Sequence, residues 1–380
     1  MVIIGILKES GDENRVSALP EIASQLVKMN FDVLVESGAG LKAFAADNDY
    51  SQAGAKISDR DTILRSADII LKINSFDKTD IDKLKPGAIV IAILQPYFNT
   101  ELVKQLLEKG ITSFSLETIP RTTRAQSMDV LSSQATAAGY KAVLLAAANL
   151  SKFFPMFMTA AGSITPAKVL IIGAGVAGLQ AIATARRLGG VVEVFDTRAA
   201  VKEEVKSLGA KFIEVEGAAD SASAGGYAVE QSAEFLARQR QKIQESAIKS
   251  DVIITTAQIP GKKAPVLITK ESINTMKPGS VIVDLAASTG GNTELTENDK
   301  TVNVNGVVII GNSNIPSTIP SDSSKMFGKN VLNFLKLILK DGNVNLDFKD
   351  DIVKGTCITH NKEIVNEKVK ELFSIIKESE

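Results

Sequence analysis

Four consecutive aliphatic residues, Val169-Leu170-Ile171-Ile172, pass directly into Gly173-Ala174-Gly175-Val176-Ala177-Gly178 and on into the helix-like LQAIATARRLGG. A buried strand that turns at G-x-G-x-x-G into a helix is the signature of a dinucleotide-binding unit, and it limits the fold of this region more than anything else in the chain. Gly173 permits the tight turn, Gly175 lets a pyrophosphate approach the backbone, and Gly178 lets the helix lie close on the sheet. The amides at the helix start then face the phosphates. A second strand, Val191–Phe195, ends at Asp196, about 20 residues beyond the first glycine, where an acid accepts hydrogen bonds from the adenosine ribose hydroxyls. That acid favours NAD over NADP. Arg198, two residues further on, offers the opposite reading as a ligand for a 2′-phosphate, but Asp196 precedes it and would repel that phosphate.

Three hundred and eighty residues with 44% hydrophobic and 23% charged content suggest a globular α/β protein of two domains. The net charge of −1 presents no basic face for nucleic acid and no polybasic patch for lipid. One cysteine, Cys357, excludes an internal disulfide and any cysteine-based metal cluster, and no metal site is expected. The opening MVIIGILKES is strand-like, without an export signal, so a cytoplasmic setting is expected. Val169–Ala185 lacks charge, but its glycines and strand-then-helix pattern explain it better than a membrane span.

Before the glycine loop, strand candidates at Val2–Leu7, Asp32–Glu36, Asp68–Ile73, Ala88–Leu94 and Thr112–Leu116 alternate with helical stretches such as Glu21–Met29 and Glu101–Glu108. A second set runs through Val169–Ile172, Val191–Phe195, Lys211–Ile213, Asp251–Thr255, Ser280–Asp284 and Val307–Gly311. Such alternation predicts α/β architecture with two doubly wound parallel-sheet, Rossmann-like domains. Asp129 to about Phe154 reads as one long apolar helix connecting them, and Ser321–Leu339 as a second long helix. From Val344 onward only a short strand-like tail is expected, returning to the first domain and closing a cleft between the two. The expected domains are 1–131 with 320–380, and a dinucleotide-binding domain over 132–319. Gly217–Gly226, ending at Tyr227, is either a mobile flap or a plain surface loop with Tyr227 at its base.

The only histidine, His360, lies in the tail and reads as structural. Oxidising an alcohol or amine with NAD removes a proton as well as a hydride, so a base is needed at the reacting carbon. This chain is poor in such bases. Hydride transfer between two nicotinamides moves no proton in its chemical step and needs alignment only.

RAQSMDVLSSQATAAGYKAV, MTAAGSITPAKVLIIGAGVAGLQAIATARRLGG, VFDTRAA, ITTAQIPGKKAPVLIT and MKPGSVIVDLAASTGGN together resemble the NAD(H)-binding component of the proton-translocating NAD(P) transhydrogenase family, over essentially the whole chain. Alanine dehydrogenases share the two-domain architecture and the opening KESGDENRVSALP, so the fold alone does not decide between them. The segment after Arg121 does. The family places an Arg, a Gln, an Asp and a Ser at intervals of five, three and three, and Arg121, Gln126, Asp129 and Ser132 stand at that spacing. The resemblance implies that Arg121 and Gln126 reach toward the nicotinamide carboxamide and its ribose, with Asp129 and Ser132 completing the hydrogen bonds that orient the ring. Asp129 also suits the N-cap of the connecting helix. Tyr227 falls at the tyrosine of the family's mobile loop. The remaining expected cofactor contacts, beside Gly173, Gly175, Gly178 and Asp196, are Val176, Thr197, Thr256 and Ala257.

Where alanine dehydrogenases carry an acid–base histidine this chain has Gln95, and where they carry an aspartate before the paired glycines it has Ser288. Lys8, Arg15 and Lys72, which in those enzymes hold the substrate carboxylate, read here as inherited ion-pairing residues. The resemblance implies an NAD(H)-binding subunit that exchanges hydride with NADP(H) on a partner subunit. It also implies a membrane-spanning proton-conducting subunit, a homodimer, and peripheral attachment to the inner face of the cell membrane through those partners. The alternatives are a stand-alone amino- or keto-acid dehydrogenase and a non-catalytic NAD-sensing scaffold.

Overall fold

The computed structural model describes residues 1–215, 233–259 and 262–379. Tyr227 and the Gly217–Gly226 segment lie outside them. Contacts divide the chain into two units, Met1–Gln134 with Ser317–Glu380, and Ala135–Pro316. The chain leaves the first unit within the helix Val130–Asn149 and re-enters it at the 3₁₀ segment Ile315–Thr318, directly before the helix Pro320–Ile338.

The first unit is built on strands β1 (Ile3–Ile6), β2 (Asp32–Glu36), β3 (Lys56–Ser58), β4 (Ile69–Leu71), β5 (Ile89–Ala92) and β6 (Thr112–Ser115), extended by β18 (Cys357–His360) and β19 (Glu363–Ile364) in the order β19-β18-β6-β5-β4-β1-β2-β3. All pairings from β3 to β6 are parallel. Alternate side chains serve opposite faces, as the pleat requires. Ile4, Ile6, Ile69, Leu71, Ile89 and Ile91 enter one core, while Ile70, Val90 and Ala92 enter the other. Unbroken apolar strands such as β4 and β5 follow from this double coverage.

The second unit has the same winding. Strands β9 (Lys168–Ile172), β10 (Val191–Phe195), β11 (Lys211–Phe212), β12 (Val252–Thr255), β13 (Val281–Asp284), β14 (Thr301–Val304) and β15 (Val307–Ile310) lie in the order β11-β10-β9-β12-β13-β15-β14, with only β14 antiparallel. Two small antiparallel pairs, β7 (Phe157–Thr159) with β8 (Gly162–Ile164) and β16 (Leu339–Lys340) with β17 (Asn343–Val344), stand outside the main sheets. In each sheet the first strand lies between the second and the fourth, so the winding reverses beside β1 and beside β9. Ligands of open α/β sheets bind beyond the strand carboxyl ends at such reversals.

Two expectations change. The connecting helix stops at Asn149 rather than near Phe154, so it ends well before Phe154, the residue whose helical geometry Pro155 disfavours. The C-terminal region is more than a short strand-like tail: it forms the helix Asp351–Thr356, β18, β19 and the helix Glu367–Ser379. Asp350 caps the first of these helices through the amides of Ile352 and Val353, and β18 pairs antiparallel with β6. Buried hydroxyls reinforce that pairing, with Ser113 and Thr359 2.7 Å apart and Thr359 donating to the Ile111 carbonyl at 2.8 Å.

His360 ends β18 with its Nδ1 3.0 Å from the Thr112 hydroxyl and its ring 4.7 Å from that of Phe348. Burial lowers its pKa below the ordinary 6.5, so folding favours the neutral ring. Stability from this group is complete above the unfolded-state value and is lost as pH falls through the lower folded-state value. Since His360 is the only histidine, lowering the pH from about 7.5 to about 5.5 should reduce the thermal midpoint of the wild type more than that of His360→Gln. A constant difference between the two melting curves would exclude this coupling.

Candidate functional site

The glycine loop leaves β9 at Gly173, whose φ of +98° is a left-handed conformation that strains a side chain. An added Cβ there would also lie 2.4 Å from the Thr256 hydroxyl. Gly178 is more tightly constrained, for its Cβ would lie 1.9 Å from the Gly173 carbonyl oxygen. Gly175 is different: a Cβ built there meets nothing within 4 Å. The bare backbone at Gly175 opens on space suited to a ligand, at the N-cap of the helix Val176–Arg187. The first-turn amides of that helix have no carbonyl of their own helix to reach, and the helix dipole adds partial positive charge there. Val176 is half exposed at this end.

Asp196 follows β10 and reaches back to the loop, accepting from the Ala174 amide at 2.7 Å. Arg198 donates to the same carboxylate from its backbone amide, Nε and Nη2 at 2.8, 3.0 and 2.9 Å. This pairing raises the Arg198 pKa above its ordinary value. Thr197, between them, is exposed. Thr256 follows β12 and donates to the Gly173 carbonyl at 3.1 Å. The loops after β9, β10 and β12 therefore converge at one edge of the sheet, and they bring Gly173, Gly175, Gly178, Asp196, Thr256 and Ala257 together.

Asp284 and Asn292 were not anticipated. The Asp284 carboxylate, fully buried at the end of β13, accepts from the Thr255 and Thr296 hydroxyls and from the amides of Ala286 and Asn292, at 2.6–2.9 Å. That anchors Asn292, whose side chain accepts from the Ala257 amide at 3.0 Å and donates to the Ala257 carbonyl at 2.8 Å. Ala257 is thus held in place through its backbone. The available sequence signal was an acid ending the otherwise apolar strand VIVD.

In the first unit, Gln126 lies in the 3₁₀ segment Thr123–Met128, and Asp129 caps the helix that follows. The Asp129 carboxylate accepts from the Ser132 amide at 2.9 Å and the Ser132 hydroxyl at 2.6 Å. The segment is clamped from both sides. Arg124 grips Asp350 at 2.6 and 2.8 Å and also pairs with Asp351, while Asn330 and Asn333 donate to the Ser127 carbonyl at 2.8 and 3.0 Å. Buried Ala125 and Met128 fasten its inner face, leaving Arg121 and Gln126 exposed on a held backbone.

Of the residues associated with a dehydrogenase substrate, Lys8 is exposed, whereas Arg15 and Lys72 are buried. The Arg15 guanidinium grips both oxygens of Glu13 at 2.8 and 2.7 Å and donates to the Gln134 amide oxygen at 2.7 Å. Lys72 donates to the Ser75 carbonyl at 2.9 Å and lies 5.4 Å above the Phe76 ring centroid. Nearby, burial raises the Glu9 pKa, with Lys72 and the amides of Ile73 and Asn74 opposing that shift. Gln95 and Ser288 are both exposed, and Gln95 adopts a left-handed φ of +52°. Among the described residues, no group of three or more His, Cys, Asp or Glu is arranged to hold a metal ion, and no helix is long and apolar enough to cross a membrane.

Two Rossmann-type units, one with a glycine loop, an acid directly after its second strand and convergent strand ends, define a two-domain protein of the nucleotide-cofactor class. The chain belongs to the alanine dehydrogenase/PNT family: the family's N-terminal domain matches residues 5–138 and its C-terminal domain residues 142–367. It is 46% identical over 381 residues to the first part of the NAD(P) transhydrogenase subunit alpha of Rickettsia prowazekii, covering 99% of each chain. The crystal structure of transhydrogenase from Sinorhizobium meliloti matches with a TM-score of 0.85 and 42% identity, covering 96% of this chain and 99% of that one. Alanine dehydrogenase of Staphylococcus saprophyticus is more distant, at 27% identity over 98% of this chain and 97% of that protein.

Gly139, on the helix Val130–Asn149, has the same spatial constraint as the loop glycines: a Cβ would lie 2.1 Å from the Ala177 carbonyl oxygen. Helix propensity alone predicts that Gly139→Ala stabilises by about 1 kcal/mol, but the collision requires the glycine-loop helix to move. Destabilisation of about 1–3 kcal/mol is expected in urea denaturation. A neutral or stabilised variant would show that this helix contact has slack.

Proposed function

We propose that this chain is the NAD(H)-binding subunit of a proton-translocating NAD(P) transhydrogenase, exchanging hydride with NADP(H) on a partner subunit. The observation that carries the reading is a contrast in the first unit. The residue at the position of a dehydrogenase's acid–base histidine is Gln95, whereas the Arg121, Gln126, Asp129, Ser132 set is present on a clamped segment. The higher identity to a transhydrogenase subunit than to an alanine dehydrogenase supports the same choice.

In this reading residues 132–319 form the NAD-binding domain, and 1–131 with 320–380 form the domain carrying the Arg121 motif. Gly173, Gly175 and Gly178 cradle the pyrophosphate, with the amides from Val176 onward facing it. Asp196 accepts from the adenosine ribose, while Thr197, Thr256 and Ala257 complete the pocket. Arg121 and Gln126 orient the carboxamide and nicotinamide ribose, and Asp129 and Ser132 hold that arrangement through their mutual hydrogen bonds. Bound NAD(H) supplies the hydride acceptor or donor. No residue here needs to move a proton during the transfer, and orientation alone can supply about 7–11 kcal/mol of such a barrier. The proposed assembly is a homodimer on the cytoplasmic face of the membrane, joined to a membrane-spanning proton-conducting subunit and an NADP(H)-binding subunit. Proton movement belongs to the membrane subunit and is coupled to this one through conformation.

The test mixes the purified chain with the NADP(H)-binding component of a related transhydrogenase and follows NADPH-dependent reduction of an NAD analogue of distinct absorbance. Rapid transfer that neither protein achieves alone is expected. Absence of transfer despite NADH binding and complex formation, together with alanine-dependent reduction of NAD, would replace this reading with a dehydrogenase that uses Arg15 and Lys72. Within the complex, Gln126→Asn should leave NADH affinity near that of the wild type and slow hydride transfer by about 10²-fold, as expected when alignment is lost. An unchanged rate would remove Gln126 from the positioning role.

A further inference from the structure

Asp196 is engaged on every side. Its Oδ1 accepts from the Arg198 amide and Nε, and its Oδ2 from the Ala174 amide and Arg198 Nη2. A carboxylate has about four lone-pair positions, so these four donors saturate it. The Asp196 side chain is 5% exposed and that of Arg198 is 38% exposed. The guanidinium thus covers the acid from the solvent side, while the Ala174 amide ties the acid to the glycine loop. Two of the four hydrogen bonds come from the backbone. The other two come from a side chain that can move away.

We propose that Arg198 is a nucleotide-specificity residue, a removable cover on Asp196 that gives way to the ribose diol of NAD(H) and that Asp196 withholds from a 2′-phosphate. The inference rests on the NAD(H) reading above and adds a residue and a mechanism of selection to it. A diol brings two hydroxyl donors, which replace the two hydrogen bonds of the Arg198 side chain and add no negative charge beside the acid. A 2′-phosphate brings about two negative charges and no donor of that kind. To pair with it, Arg198 would have to leave a nearly buried carboxylate uncompensated beside an anion. Selection against the phosphate therefore depends on Asp196 holding Arg198, and a guanidinium suited to binding phosphate is already in place.

The test measures NADH and NADPH affinity of the full chain by calorimetric titration for the wild type, Asp196→Ala, Asp196→Asn, Arg198→Ala and the Asp196→Ala/Arg198→Ala double variant. Asp196→Ala should weaken NADH and tighten NADPH by about tenfold or more relative to the wild type, the double variant should lose that NADPH gain, and Arg198→Ala should bind NADH as tightly as the wild type or more tightly. Equal NADPH affinity in Asp196→Ala and the double variant would overturn the proposal, as would a large loss of NADH affinity in Arg198→Ala. If Asp196→Ala fails to fold, Asp196→Asn, which keeps an oxygen for the Ala174 amide, makes the same comparison against its own Arg198→Ala partner. A wild type that binds NADPH but not NADH would instead overturn the NAD(H) reading, separately from the role of Arg198.

Discussion

The helix Val176–Arg187 can begin where it does only because two backbone segments come closer than any side chain would allow. At Gly178 the space for a Cβ is taken by the Gly173 carbonyl, and at Gly139 it is taken by the Ala177 carbonyl. Those contacts lock the turn after β9 between its own helix and the helix Val130–Asn149. Thr256 closes the turn from a third side through its bond to Gly173. Because that backbone is wedged, Gly175 can remain bare and open, and the amides after it keep a fixed direction. Rigid backbone donors of this kind recognise an anion with little reorganisation.

Two acids divide the work around that turn. Asp284 is buried and accepts from four protein donors, so it acts on structure, setting Asn292 and through it Ala257. Asp196 is also saturated, but two of its donors sit on the partly exposed Arg198 side chain. The same residue type at the ends of two strands in one sheet thus has different prospects. One acid is committed to the fold, and the other is held by a group that solvent can reach.

The first unit follows the same principle with different parts. Asp350, Asn330 and Asn333 engage the segment carrying Gln126 from far away in sequence, the first through Arg124, and Asp129 uses its carboxylate to cap a helix and hold Ser132. Positioning is achieved by fastening the backbone while leaving selected side chains exposed. The buried Arg15–Glu13–Gln134 set shows the opposite arrangement, in which the guanidinium is engaged by protein groups on more than one side.

Local pattern determined a great deal: the strand-turn-helix at Gly173, the acid after β10, most parallel strands, and the spacing from Arg121 to Ser132. Each is a short-range property, set by the need for continuous apolar strands, for glycine at sites of close approach, and for a cap before a helix. Sequence could not show that β18 joins the first sheet beside β6, because it pairs there with Phe114 and Ser113, more than 200 positions away. Nor could it show the Asp284–Asn292–Ala257 relay, the clamp on Ser127, or the collision space at Gly139. Hydrogen bonds and van der Waals contacts act over a few ångströms, and only the folded chain decides which distant residues come within that range. Asp196 and Arg198 illustrate the division: their spacing was plain in the sequence, but which lone pairs were filled, and from which side, was decided by the tertiary structure.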